Sequence, residues 1–438
     1  MEVNVKKFKS AIVDAENYIW ANPETGYKEW KTHAYMKNVF VSLGYDIVEA
    51  GNIPGFYTVL DTGREGPELL ILAEMDSLVC FDHPDSDPET GAVHCCGHSA
   101  QCAAMVGIAS ALKEEGALDG LSGRIRLAVV PAEELIEIEY RNELKKHGII
   151  KYFGGKPEFL LRGYFDGVDL AFMVHSAVGT VFSTNIGSNG CIAKKVIYKG
   201  KSAHAGSAPW MGRNALYAAT TGIAAANALR ETFKEEDMIR FHPIITSGGS
   251  TVNAIPEMTV IESYVRGSSF DAILKANKKI NRALISGALA VGCDVEIVDN
   301  PGYAPLNNNR EMMEVYKDAV RKIGHEPVVY EVRRPSSTDM GDLSVIMPVI
   351  HPYAPGAIGT SHGADYYIEN TDLACVASAE LQITMINSLL SNGAKRANEI
   401  VKNFVPLYSK QDYLNLMDSI ASEGNRIEYT ETEAKIRL

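Results

Sequence analysis

Three apolar runs in the first half of the chain each stop on a polar residue that a buried strand does not need. "LLILAEMD" ends at Asp76, "RIRLAVVPAEE" at Glu133 and Glu134, and "VDLAFMVHS" ends with His175 and a serine. Each run is apolar and β-branched enough for a strand covered on both faces, and helix-period stretches at 99–116 and 137–149 lie between them. The alternation predicts an α/β sheet with helices on both sides. Ligands in such sheets bind outside the carboxyl ends of the strands, so Asp76, Glu133, Glu134 and His175 are expected to converge on one edge.

Near residue 189 the pattern changes. "CIAKKVIYKGKSAHAG" reads as strand and turn, "RNALYAATTGIAAANALRETF" as an alanine-rich helix, and "STVNAIPEMTVIESYVRGSS" as strands. "FDAILKANKKINRALISGALAVG" then reads as a helix and "DVEIVDNPGY" as a strand. A β-α-β-β-α-β order over about 110 residues is a two-layer module in its own right. It divides the chain into a discontinuous unit, 1–188 with 302–438, and an inserted unit, 189–301. After Gly302 the α/β texture returns with a strand "PVVYEV", a turn-rich "RRPSSTDMGDLS" and a long helical pattern from near Thr371; the polar tail from Leu407 to Leu438 reads as helical.

Composition narrows the function classes. With 438 residues, 46% of them hydrophobic, the chain can bury a large core. Fifty-five acidic against 42 basic residues give a formal charge of −13, and no Lys/Arg block is long enough to follow a phosphate backbone, so nucleic acid is not an expected partner. No run of about 18 apolar residues suggests a membrane span. The N-terminal stretch lacks the basic head and apolar centre of a signal peptide, and a cytoplasmic location is expected. Seven cysteines, an odd number without scaffold spacing, read mostly as small buried hydrophobes rather than a disulfide framework.

The chemistry concentrates in a few places. In "HCCGHSAQC", residues 94–102, Cys96 and His98 flank a glycine, a spacing that lets both side chains reach one point. The helical pattern that follows puts them at a helix N-terminus, where backbone dipoles favour a thiolate. Taken alone, His98 reads as a hydrogen-bonded core histidine and the "PAEE" pair as a solvated loop. Together with Glu134, His175 and His362 in the glycine-flanked "GTSHGADY", they form a nitrogen, oxygen and sulfur donor set suited to zinc, and also to manganese or cobalt. Beside such ligands, one glutamate of a pair can hold a metal while its neighbour moves a proton.

With "NPETGYKEWKT", "AEMDSL", "HCCGHS", "PAEE", "MVHS", "SAHAGSAPWMGRNAL", "GGSTVNAIPE", "GYAPLNN", "STDMGDLS" and "GTSHGADY" in this order, the chain to about residue 395 resembles the amidohydrolase and aminoacylase branch of the dinuclear-metal exopeptidases. Its relatives include indole-acetyl-amino-acid hydrolases and p-aminobenzoyl-glutamate hydrolases. The resemblance implies a mixed-sheet catalytic domain of the zinc exopeptidase type with a ferredoxin-like inserted lid and dimerisation domain. It implies two divalent ions bridged by Cys96, with His98, Glu134, His175 and His362 completing the shells. Glu133 is then the general base and acid, activating a bridging water and returning the proton to the leaving amine. Asp76 lies beneath the site and orients it. His204 reaches across a homodimer to polarise the scissile carbonyl, and Asn253 holds the substrate carboxylate, as Arg266 could.

The resemblance further implies hydrolysis of the amide of an N-acyl amino acid or a related small amide bearing a carboxylate. A dipeptidase is the neighbouring alternative, and a metal-binding protein of the same fold without turnover is a second. Ser99 and Gln101 depart from the usual family residues, which leaves the ligand set intact but bears on its surroundings. "STDMGDLS", with Asp342 after the glycine, leans towards the aminobenzoyl-glutamate side.

Overall fold

A computed structural model describes residues 4–437. The strand Glu68–Glu74 is buried along its whole length, with Leu69, Leu70 and Ile71 fully inaccessible. It has no polar face because it lies inside a six-stranded sheet, flanked in parallel by Arg124–Val130 and Leu170–Phe172. Val349–Ile350 extends the parallel part at one side, while Phe56–Asp61 and Val48–Glu49 add antiparallel strands at the other, making the sheet mixed. Burying each of these leucines and isoleucines stabilises the fold by roughly 1.5–3 kcal/mol.

The helix His98–Leu112 fits the same interior, for all fifteen of its residues are buried. It packs between the sheet and the helices Lys9–Trp20 and Ser378–Asn403. Helical structure from Asp372 to Asn403 has the length and apolarity of a membrane crossing, yet 67% of its apolar window is buried inside the protein. It also breaks at Ser391–Ala394, where the backbone leaves helical angles. Its apolar face therefore serves the protein core.

Residues 190–303 carry a separate, wholly antiparallel sheet. Gly190–Lys199 lies between Met258–Gly267 and Asp294–Tyr303, and Ile244–Ser247 lies outside Met258–Gly267. The helices Ala215–Asn227 and Phe270–Val291 cover one face through alternate strand residues such as Val196, Tyr198, Ile261 and Val265. The tail differs from the helical expectation. After the helix Lys410–Ile420 it forms a hairpin, Ile427–Tyr429 with Ala434–Ile436, and Ser422 exchanges backbone hydrogen bonds with Asp299. Ile427 is the buried apolar anchor that the polar composition of the segment concealed.

Candidate active site

Each candidate ligand sits just past a buried element. Gly97 makes the Cys96–His98 turn possible: its φ is 90°, and a β-carbon there would run into the Ser176 and Tyr366 hydroxyls. Cys96 and His98 consequently face one point at the start of the helix. His175 begins the strand His175–Val178, next to the end of Leu170–Phe172. His362 has a φ of 65°, and its amide donates to the Cys95 carbonyl at 2.9 Å, tying the late loop to the cysteine loop.

These side chains form two groups that share one sulfur. A donor atom from each of Cys96, His98 and His175 lies within 4.8 Å of the others, and the same holds for Cys96, Glu134 and His362. Cys96 Sγ is 3.5 Å from His175 Nε2, and Glu134 Oε1 is 3.4 Å from His362 Nε2. Glu133 belongs to neither of these two but forms a further group with His98 and Glu134, its Oε2 4.0 Å from His98 Nε2.

The donors suit divalent cations. His98 Nδ1 donates to the Asp76 carbonyl at 2.8 Å and His175 Nδ1 to the Ser176 carbonyl at 2.6 Å, so the Nε2 atoms of both rings keep their lone pairs for a cation. His98 Nε2 is buried without a hydrogen-bond partner, an arrangement that a bound cation satisfies. Burial and the Glu134 carboxylate push the Cys96 thiol well up, whereas a cation on the sulfur favours the thiolate. Asp76, fully buried, accepts the Glu134 amide on Oδ2 at 2.7 Å while its Oδ1 is 3.3 Å from His98 Nδ1. It thus holds one candidate ligand from each group.

The loop after Arg124–Val130 is fastened at three successive carbonyls. The Tyr303 hydroxyl donates to that of Glu133, the Arg141 guanidinium to that of Glu134, and the Tyr264 hydroxyl to that of Leu135. Two of these anchors come from the antiparallel sheet of residues 190–303, so it helps fix where both glutamates point. Burial raises the Glu133 carboxyl well above the usual range, and Glu74 and Glu134 beside it add to the rise.

Several of these residues escaped the sequence reading. Glu74 precedes Asp76 by two positions, and that spacing could have found it. It accepts from Gln101 Nε2 at 2.8 Å, lies 3.3 Å from His98 Nε2, and pairs with the fully buried ammonium of Lys156. Lys156 also pairs with Asp339, whose carboxyl burial raises to about 6 against the pull of that ammonium. Nothing in "FGGKPEF" announces this lysine. In "STDMGDLS" it is Asp339 that joins the cluster; Asp342 instead accepts from the Tyr413 hydroxyl at 2.6 Å and the Ala304 amide at 2.8 Å. Of the two departures, Ser99 donates to Glu16 at 3.0 Å and Gln101 to Glu74.

A cavity of about 550 Å³ opens above the site, lined by Cys96, Glu133, Glu134, His175 and His362. Arg266, from the strand Met258–Gly267, lines it too and donates to Ser337 Oγ at 3.0 Å. His204 and Asn253 are exposed, lie in loops bridged to each other, and are not among the cavity residues. His204 Nδ1 accepts the Gly206 and Ser207 amides, both at 3.1 Å, which leaves Nε2 as the ring's donor.

The sequence matches Peptidase family M20/M25/M40 over residues 70–385. A mouse (Mus musculus) Xaa-Arg dipeptidase is 29% identical over 354 residues, covering 76% of this chain and 74% of that protein. The N-acetyl-L-cysteine deacetylase of Bacillus subtilis is 27% identical over 339 residues, covering 73% and 74%. Among solved structures, a dinuclear metal binding peptidase of the M20 family from Bacillus subtilis superposes with a TM-score of 0.64 at 18% identity, covering 88% of this chain and 99% of that one. The chain therefore belongs to peptidase family M20/M25/M40 and is a hydrolase of amide bonds.

Proposed function

We propose that this protein hydrolyses the amide bond of N-acyl amino acids, or of closely related small amides carrying a carboxylate, with two divalent cations held by Cys96, His98, His175, Glu134 and His362. The observation that carries the reading is the pair of donor groups sharing Cys96 at the floor of the cavity, with Glu133 beside them. Bound cations, zinc or manganese with cobalt as a further possibility, would polarise the scissile carbonyl and acidify the attacking water. Glu133 takes the water's proton and delivers it to the leaving amine. Asp76 keeps His98 and Glu134 in register and Arg266 holds the substrate carboxylate, while from the partner subunit His204 donates to the carbonyl oxygen and Asn253, in the loop bridged to it, reaches the carboxylate.

A homodimer built on residues 189–301 is supported by exposed apolar side chains there: Trp210, Met211, Tyr217, Ile244 and Val252. Among the described residues, no strand lies beside the outer edge of Ile244–Ser247. A cytoplasmic setting accords with seven cysteines that are all free. A dipeptidase uses the same chemistry but must receive a free ammonium. The cavity lining has no carboxylate for that purpose beyond Glu133 and Glu134, which favours an acyl group.

Turnover of the zinc- and manganese-loaded protein on acyl amino acids, aminobenzoyl-glutamate and dipeptides tests the reading. Glu133→Ala is expected to keep both ions and lose roughly 10²- to 10⁴-fold in rate. Near-normal turnover by that variant would overturn the mechanism.

A further inference from the structure

The cavity contains a second guanidinium that the hydrolytic chemistry does not use. Arg334 ends the strand Val328–Arg334, half-buried, and lines the same cavity as Arg266. Its guanidinium stacks on the Tyr353 ring, 4.3 Å from the centroid, and the Tyr353 and His175 centroids are 5.9 Å apart. Those two distances cap the separation between the Arg334 guanidinium and the His175 ring at about 10 Å, so both border the space one small substrate would fill. Among the described residues no carboxylate pairs with either Arg266 or Arg334, although most other arginines bordering the core have an acidic or carbonyl partner.

The local backbone brings the two arginines together. Arg266 donates to Ser337, three residues beyond Arg334 in the segment that follows its strand. The Asn189 amide donates to the Arg334 carbonyl, while Arg266 lies opposite Cys191 across the ladder. A half-buried, unpaired guanidinium held flat by an aromatic ring is ready to take a planar anion through two parallel hydrogen bonds. One carboxylate needs only one such fork.

We infer that Arg334 binds a second carboxylate and that the substrate is the amide of a dicarboxylic amino acid, with its α-carboxylate on Arg266 and its side-chain carboxylate on Arg334. This rests on the amidohydrolase reading and narrows it to acidic leaving amines. A basic side chain in that place would meet like charge, and a neutral one would leave Arg334 unpaired.

The test separates binding from turnover. N-acetylglutamate and N-acetylglutamine have the same shape and differ in one carboxylate, so calorimetric titration of the metal-loaded Glu133→Gln variant with each reads the contribution of that group. The acid is expected to bind about 10- to 100-fold more tightly. Adding Arg334→Gln should remove that preference while leaving the glutamine ligand within about threefold, and adding Arg334→Lys should restore part of it. Equal affinity for the two ligands, or equal weakening of both by Arg334→Gln, overturns the inference. Failure of the Glu133-intact enzyme to hydrolyse any acyl amino acid would count against the amidohydrolase reading instead, and the binding ratio would still decide the role of Arg334.

Discussion

His362 hangs its backbone amide on the carbonyl of Cys95 at 2.9 Å, so two loops more than 260 residues apart in sequence meet next to the shared sulfur. The link uses the Cys95 backbone alone, and the buried Cys95 side chain packs with Leu78 and Val93. Cys95→Ser is therefore expected to keep metal content and most activity, at a stability cost of roughly 1–2 kcal/mol for a buried hydroxyl. Cys96→Ser removes the sulfur common to both donor groups, and metal analysis after gel filtration should find less than one ion per chain. Equal effects of the two substitutions would point to a redox role for the cysteine pair.

Lys156 is a fully buried ammonium between Glu74 and Asp339. Burial opposes its charge, but the two carboxylates outweigh that and hold its pKa above the ordinary lysine range. Lys156→Met strands two buried carboxylates beside His98 and is expected to cost about 3–5 kcal/mol in urea unfolding. Combining it with Asp339→Asn should recover part of the loss. A cost below 1 kcal/mol would mean that the cluster is neutralised in another way.

If His204 serves the partner's site, His204→Ala should lower activity roughly 10²- to 10³-fold while metal content and melting temperature stay unchanged. Mixed after dissociation with the Glu133→Ala variant, it should regain activity up to about a quarter of the wild-type level, the share of intact composite sites that random pairing produces. No regain in verified heterodimers would place His204 outside the trans arrangement.

Glu16 gives a pH signature distant from the reaction. Burial raises its carboxyl to about 7, and the hydrogen bond from Ser99 offsets only part of that. Between the unfolded value of 4.5 and about 7, the unfolded chain releases this proton while the folded chain keeps it, so stability falls as pH rises through that window and levels off above it. Glu16→Gln abolishes the slope. The variant should match wild type near pH 4.5 and exceed it at pH 8 by at most about 3 kcal/mol, read from denaturant midpoints. A gap that does not change with pH would contradict the shift.

The sequence alone fixed what short-range pattern and chemistry can fix. Fully apolar runs ending in Asp76, Glu133, Glu134 and His175 required a sheet covered on both faces, and a covered sheet collects its strand ends at one edge. The glycine between Cys96 and His98 marked a turn that admits no side chain, and the spacing of Glu74 from Asp76 was there to be read. Tertiary structure alone decided the rest. A sequence carries no distance between residues 95 and 362, or between 156 and 339, so neither the joined loops nor the buried Lys156 cluster has a local signature. The polar tail concealed Ile427, whose burial depends on the sheet it meets. Arg334 reads as a surface charge until Tyr353 and the cavity are placed around it, because the pairing of a guanidinium depends on what the fold brings within reach and what it leaves out.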